Sequence, residues 1–184
     1  MKLIETPLSG SYLVDTFKMS DNRGNFCKPY SHQLLDSYGL QCDFKESYYS
    51  SSISNVIRGM HFQLPPHDHV KLVYVTSGKI LDVILDLRLG SETYGQTFST
   101  ILSGNNGKAI YIGKGFAHGF ATLANNSIVT YLQTTEHSAT HDTGVRYDSI
   151  NFVWPIVQPI LSERDLKFES LSSFKSPFSL VGHV

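Results

Sequence analysis

The sequence predicts a mainly β, single-domain jelly-roll-like β-barrel with a few short helices. Three observations carry that expectation. The middle of the chain is a succession of short runs rich in Val, Ile, Leu, Tyr and Thr. The separators between them hold Gly and Asn, the residues that positive-φ turns require. Helix signals are confined to two short stretches. At 184 residues, 41% hydrophobic and 17% charged, the chain has the length and composition of one domain able to bury a sizeable core.

Taken in order, SHQLLDSYGL (31–40) reads as a short helix opened by Ser31 and stopped by Gly39. KLVYVTSGKILDVILDLR (71–88) reads as two strands broken at Ser77 and Gly78, suggesting a hairpin. Within it Asp82, Asp86 and Arg88 alternate with apolar residues, as on a strand with one wet face. GQTFSTILS, KAIYIG, GFATLA and SIVTYLQTT follow as strands, separated by GNNGK, KGFAHG and NNS. LSERDLKFESL starts at a Ser162 cap and reads as a second helix. No linker or internal repeat divides the chain, so residues 1–184 are read as one domain. The tail from about residue 172, SSFKSPFSLVGHV, is expected to be loosely ordered and His183 incidental.

Composition excludes several functions. A formal charge of −1 leaves no electrostatic footprint for nucleic acid. Cys27 and Cys42 are too few for a disulfide framework and fit no zinc spacing, so both read as free thiols in a reducing compartment. MKLIETPLSGSYLV lacks the apolar region of a signal peptide, and no stretch approaches the roughly 20 apolar residues of a membrane span. The expectation is a soluble, cytoplasmic protein that meets neither nucleic acid nor membrane.

The segment VIRGMHFQLPPHDHVKL gathers Arg58, His61, His67, His69 and Lys71. A metal site, a general base and a solvated loop could each produce such a cluster. The H-x-H pair His67 and His69, with His118 downstream, resembles the metal-binding members of the cupin superfamily. Their glutamate is missing here: VKLVYV supplies Lys71, which would repel a divalent cation. The expectation is therefore no metal, with His67 and His69 as loop residues near a cavity rim.

Other residues then gain weight. DNRGNF, VIRGMHFQLPP, SETYG, GKGFAHGF, TYLQTT, FVWP and LSERD occur in an order that resembles the dTDP-4-dehydrorhamnose 3,5-epimerase family, metal-free relatives within the cupin superfamily. The resemblance runs from about Asp21 to Asp165 and implies a cupin-like jelly roll that works without a cofactor. It also implies inversion of C3 and/or C5 beside the ketone of a nucleotide-linked 4-keto-6-deoxy sugar. Such a C–H is acidic because its carbanion delocalises onto oxygen. Catalysis then needs a base on one face, a cation or donor at the carbonyl oxygen and an acid on the other face.

By the resemblance, His61 is the base and Asp165 orients it, Lys71 faces the enolate oxygen, and Tyr131 reprotonates the opposite face. His118 lines the pocket, Arg58 and Arg23 hold the diphosphate, and Gln63 and Arg164 complete the substrate site. Taken singly, each has a plainer reading: a structural histidine, a core tyrosine, a helix-cap aspartate, a surface arginine. For His118, a structural bond to the strand backbone and a substrate contact stay equally open. The resemblance further implies a homodimer whose N-terminal segments, with Arg23 and Phe26, serve the partner's site.

The departures lie at the nucleotide end. Lys28 stands where the pattern has a glutamate, Glu46 and Tyr48 replace a glutamine and an asparagine, and Glu136 and His137 stand where tyrosines are common. Arg164 replaces a lysine and keeps its charge. Lys28 with Glu46 would suit cytosine better than thymine. Two alternatives stay open: a C3-only or C5-only epimerase on a CDP- or other non-thymidine-linked sugar, and a non-catalytic sugar-nucleotide-binding relative.

Overall fold

Two antiparallel sheets face each other in the structure, a computed structural model that describes residues 1–180. The six-stranded sheet runs β1 (Lys2–Glu5), β2 (Ser11–Asp15), β10 (Lys108–Ile112), β7 (Lys71–Ser77), β12 (Ser127–Gln133), β5 (Glu46–Ser52). The five-stranded sheet runs β13 (Asp142–Gly144), β6 (Ile57–Gln63), β11 (Phe116–Thr122), β8 (Lys79–Asp86), β9 (Thr97–Ser103). A separate hairpin pairs β3 (Phe17–Asp21) with β4 (Gly24–Lys28). Two short helices, α1 (His32–Ser37) and α2 (Glu163–Leu166), complete the frame.

Alternating side chains build the middle of the sandwich. Val73, Val75, Ile110 and Val129 of one sheet meet Ile80, Ile84, Phe116 and Phe120 of the other in one buried cluster. The expected jelly roll takes the form of these two opposed sheets. Both outer faces are covered as well. Leu35, Cys42 and Tyr30 pack over the six-stranded sheet, and Phe152, Trp154, Phe174 and Phe178 over the five-stranded one.

Four expectations are corrected by this arrangement. Asp82 and Asp86 are fully buried because they share the inward face of β8 with Ile80 and Ile84, across from Phe120 and Phe116, and Arg88 just beyond the strand is nearly so. Asp86 instead accepts from Arg88 Nε at 2.9 Å and Nη2 at 2.6 Å, and from Ser91 and Thr93, each at 2.7 Å. The tail from 172 is packed as far as the description goes: Phe178 is buried and the Leu180 amide donates to the Leu89 carbonyl. His183 lies outside the described residues. Finally, β7 and β8 form no hairpin; at Gly78 (φ +76°) the chain passes from one sheet to the other. KGFAHG is likewise not a simple separator, since His118 sits within β11. The two helices form where expected. Ser162 Oγ accepts from the Asp165 amide, whereas the Ser31 side chain makes no cap bond.

One irregularity positions the site. On β11, His118 and Phe120 are two residues apart, and their partners on β6, His61 and Arg58, are three apart. The extra residue is a β-bulge. Regular alternation would send Arg58 and His61 to opposite faces; with the bulge, both line the same cavity. Gly59 makes this possible, with φ +136° and a backbone approach so close that a Cβ would stand 2.5 Å from Gly119 Cα. Gly59→Ala is expected to destabilise the fold by about 3 kcal/mol, read as a lower urea midpoint at unchanged m-value. A change below about 0.5 kcal/mol, within the range of a neutral surface substitution, would contradict the close-approach account.

Candidate active site

Between the sheets lies a cavity of about 340 Å³ lined from both sides. The five-stranded sheet contributes Arg58, His61, Gln63, His118 and Asp142, and the six-stranded sheet Glu46, Tyr48, Ser50, Lys71, Tyr131 and Gln133.

On the first wall, His61 Nε2 lies 2.9 Å from Asp165 Oδ1. A carboxylate only accepts, so Nε2 carries the hydrogen, and in the neutral imidazole the lone pair is the one on Nδ1. The Ser162 cap holds the Asp165 amide at 3.0 Å, and Asp165 Oδ2 accepts the Gly59 N–H at 3.1 Å. Burial works to raise the Asp165 carboxyl. The His61 hydrogen bond and charge, with the Gly59 and Ser162 bonds, outweigh it and hold the group below the usual carboxylate value. His118 Nε2 donates to Asp82 Oδ2 at 2.7 Å, both buried, while Asp82 Oδ1 has no partner among the described residues. Of the two readings left open for His118, the structural one takes the form of a carboxylate bond and not a bond to the strand backbone.

On the facing wall, Tyr131 is 6% exposed, and its hydroxyl lies 3.3 Å from Ser50 Oγ. Burial pushes its phenol far above the ordinary tyrosine value, so it stays protonated. Lys71 is buried, and its ammonium forms no hydrogen bond or ion pair among the described residues. Burial lowers its ammonium to about 8, with the Asp142 and Asp82 charges opposing the drop.

The rim is a polar network. Arg164 Nη2 donates to Asp142 Oδ2 at 2.8 Å, and His137 Nε2 reaches the same oxygen at 3.2 Å. Glu46 Oε2 accepts from Gln133 Nε2 at 2.9 Å and from the His137 amide at 2.7 Å. Arg58 is held by Ser52 Oγ at 3.0 Å. The Gln63 amide is engaged with loop backbone, donating to His67 O at 2.9 Å and accepting from the Ser138 amide at 2.6 Å.

Three expected residues lie elsewhere. Arg23, Phe26 and Lys28 are exposed on or beside the β3–β4 hairpin and do not line this chain's cavity. Arg23 is paired with Asp21 at 2.6 Å. Lys28 and Glu46 therefore share no pocket within one chain, and a base-reading pair would need Lys28 from a second copy. His69 is also misplaced by the rim expectation. It is buried in the cavity wall, with Nδ1 3.1 Å from Gln63 Nε2 and 3.2 Å from Thr135 Oγ1. Burial and the nearby Lys71 charge push its imidazole far below the ordinary value, so it is neutral. The His67 ring lies tilted at 37° against that of His141, with centroids 4.3 Å apart.

Sequence reasoning missed Ser50, Asp82, Gln133 and Asp142. Ser50, with Glu46 and Tyr48, and Gln133, with Tyr131, share a parity with residues already singled out, which period-2 counting could have found. Asp142 carries no such signal.

Comparison with known proteins agrees with this geometry. The family model described as dTDP-4-dehydrorhamnose 3,5-epimerase matches residues 5–173. The epimerase of that name from Methanothermobacter thermautotrophicus is 34% identical over 92% of this chain and 94% of its own length. That from Sinorhizobium fredii is 35% identical over 92% and 89%. Among solved structures, the Bacillus anthracis enzyme with TDP and PPi bound superimposes with a TM-score of 0.89 at 38% identity, covering 92% of this chain and 99% of that one. The Legionella pneumophila enzyme in complex with dTDP-4-keto-L-rhamnose gives 0.90 at 30% identity, covering 95% and 94%. A matched chain with two opposed walls of proton-carrying groups leads to one conclusion: the protein belongs to the dTDP-4-dehydrorhamnose 3,5-epimerase family.

Proposed function

We propose that this chain inverts the stereocentres beside the ketone, C3 and C5, of a nucleoside-diphosphate 4-keto-6-deoxyhexose. One observation carries the reading: an imidazole oriented by a carboxylate on one wall faces a protonated phenol and an ammonium without a direct partner on the other. His61 Nδ1 takes the proton, and the electron pair of the broken C–H bond moves onto the carbonyl oxygen as an enolate. The Lys71 ammonium stabilises that oxygen. Tyr131 returns a proton to the carbon from the opposite face, inverting it. The imidazolium then releases its proton to solvent and the phenolate regains one, so the protein ends unchanged. Arg58 and Arg164, both on the cavity wall, are the cations that suit a diphosphate.

We further propose a cytoplasmic homodimer in which the β3–β4 hairpin completes the partner's site. Support comes from Arg23, Phe26 and Lys28, which are exposed and absent from their own chain's cavity, and from the exposed Phe17 and Met19 beside them. The free thiols of Cys27 and Cys42 suit a reducing compartment.

His61→Asn is expected to lower deuterium wash-in from heavy water at the sugar carbons by about 10³-fold with the melting temperature retained. In Tyr131→Phe, C5 inversion should fall about 10²-fold while C3 exchange persists. Near-normal exchange in the first variant, or equal losses in the second, contradicts those roles. The Lys71 ammonium must be charged to steady the enolate, so kcat/KM should decline about tenfold per pH unit above roughly 8. A flat profile from neutral pH to about 10, where an ordinary lysine first titrates, would remove its charge from the mechanism. Mixing inactive Arg23→Ala and His61→Asn chains should restore about a quarter of wild-type activity, since only mixed dimers contain one intact site. No restoration would place the hairpin's action within its own chain.

A further inference from the structure

Tyr48, which the sequence groups with the nucleotide-binding residues, lines the cavity beside Tyr131. It stands directly across from Tyr131 in the register between β5 and β12, and the two rings are stacked, with centroids 4.7 Å apart and planes at 16°. β5 is the edge strand of its sheet. Tyr48 is 39% exposed and Tyr131 only 6%, so the outer ring shields the inner one from solvent. On another side the His118 ring meets Tyr131 edge-on at 6.1 Å and 73°.

Tyr48 is itself braced. Its hydroxyl donates to Gln133 Oε1 at 3.4 Å, and Gln133 Nε2 donates to the Glu46 carboxylate. An ionised carboxylate accepts only, so the Gln133 amide can face it only with Nε2 and must turn Oε1 to Tyr48. The His137 amide pins Glu46 from its other side. The line Glu46, Gln133, Tyr48 therefore has one polarity and sets one ring plane.

We propose that Tyr48 is a positioning residue for the Tyr131 acid, a ring that fixes the phenol's plane, keeps its face dry and so secures inversion over simple proton return. The inference rests on the epimerase reading above. His61 takes a proton without help from Tyr48. An enolate whose acid is misplaced or hydrated receives its proton back from the His61 side, which exchanges hydrogen without changing configuration. The ratio of inversion to exchange therefore reports on Tyr48, whereas loosening of the fold lowers both together.

The test measures deuterium wash-in and inversion in heavy water with dTDP-4-keto-6-deoxyglucose, on wild type and on Tyr48→Phe, Tyr48→Leu and Tyr48→Ala. Tyr48→Phe keeps the stacked ring and loses only the hydroxyl brace, so it should retain most of the wild-type ratio. Tyr48→Ala is expected to lower inversion per exchange event about tenfold. Tyr48→Leu, which fills the space without an aromatic face, should show a loss of the same sense and decides the matter if the alanine variant does not fold. An unchanged ratio in the folded Ala or Leu variant, or a Phe variant as impaired as they are, overturns the proposal. Wild type that exchanges no deuterium overturns the epimerase reading itself, which separates the two failures.

Discussion

The carboxylate of Asp165 ties the catalytic wall to the fold. One oxygen accepts from His61 and the other from the Gly59 amide, more than a hundred residues away in sequence. A buried carboxylate left without partners costs on the order of 3–5 kcal/mol, so these contacts settle both stability and orientation. The chain of cause is short. Ser162 caps α2 and fixes where Asp165 sits; Asp165 clamps the amide inside the β6 bulge; the bulge points Arg58 and His61 to the same side. Any change that loosens this clamp moves the imidazole and the bulge together.

Much of this was legible before the structure, and what was not has physical reasons. The strand runs from Lys71 to Gln133 and the turn at Gly39 follow from local chemistry, which a sequence displays directly. Alternation shows that a strand has two faces but not what covers the second. Asp82 and Asp86 therefore read as wet, whereas they share the inward face with Ile80 and Ile84, and it is the opposite face, with Val83 and Leu85, that distant residues such as Phe174 and Phe178 cover. The sheet exchange at Gly78 was hidden similarly: a two-residue break permits a hairpin, and only competition among distant partners sends β8 to β11 and β9 instead.

The site shows the same division. His61, Lys71, His118, Tyr131 and Asp165 were named from motif order alone, and the structure brings the first four to one cavity with Asp165 behind His61. Period-2 counting would have separated Arg58 from His61, since a bulge has no fixed sequence mark beyond a glycine. Glu46 and Tyr48, singled out as departures at the nucleotide end, prove to belong to a brace running along the wall to Tyr131. Lys28 and Arg23 stay outside the cavity of their own chain.

Burial acts on Lys71 and Tyr131 in the same sense and with opposite value to the reaction. Each is driven toward its neutral form, which for the phenol preserves the proton that the proposed mechanism has it donate. For the lysine it opposes the charge the enolate needs: a fall from 10.5 to about 8 corresponds to roughly 3 kcal/mol in favour of the neutral amine. The Asp142 and Asp82 carboxylates limit that fall, and neither neutralises the ammonium by direct contact. A desolvated cation without a hydrogen-bond partner gains most when negative charge grows beside it. It gains less from a neutral ketone. Under the proposed mechanism, the stabilisation of Lys71 by substrate is therefore concentrated at the enolate-like transition state, where it would accelerate the step instead of merely tightening binding.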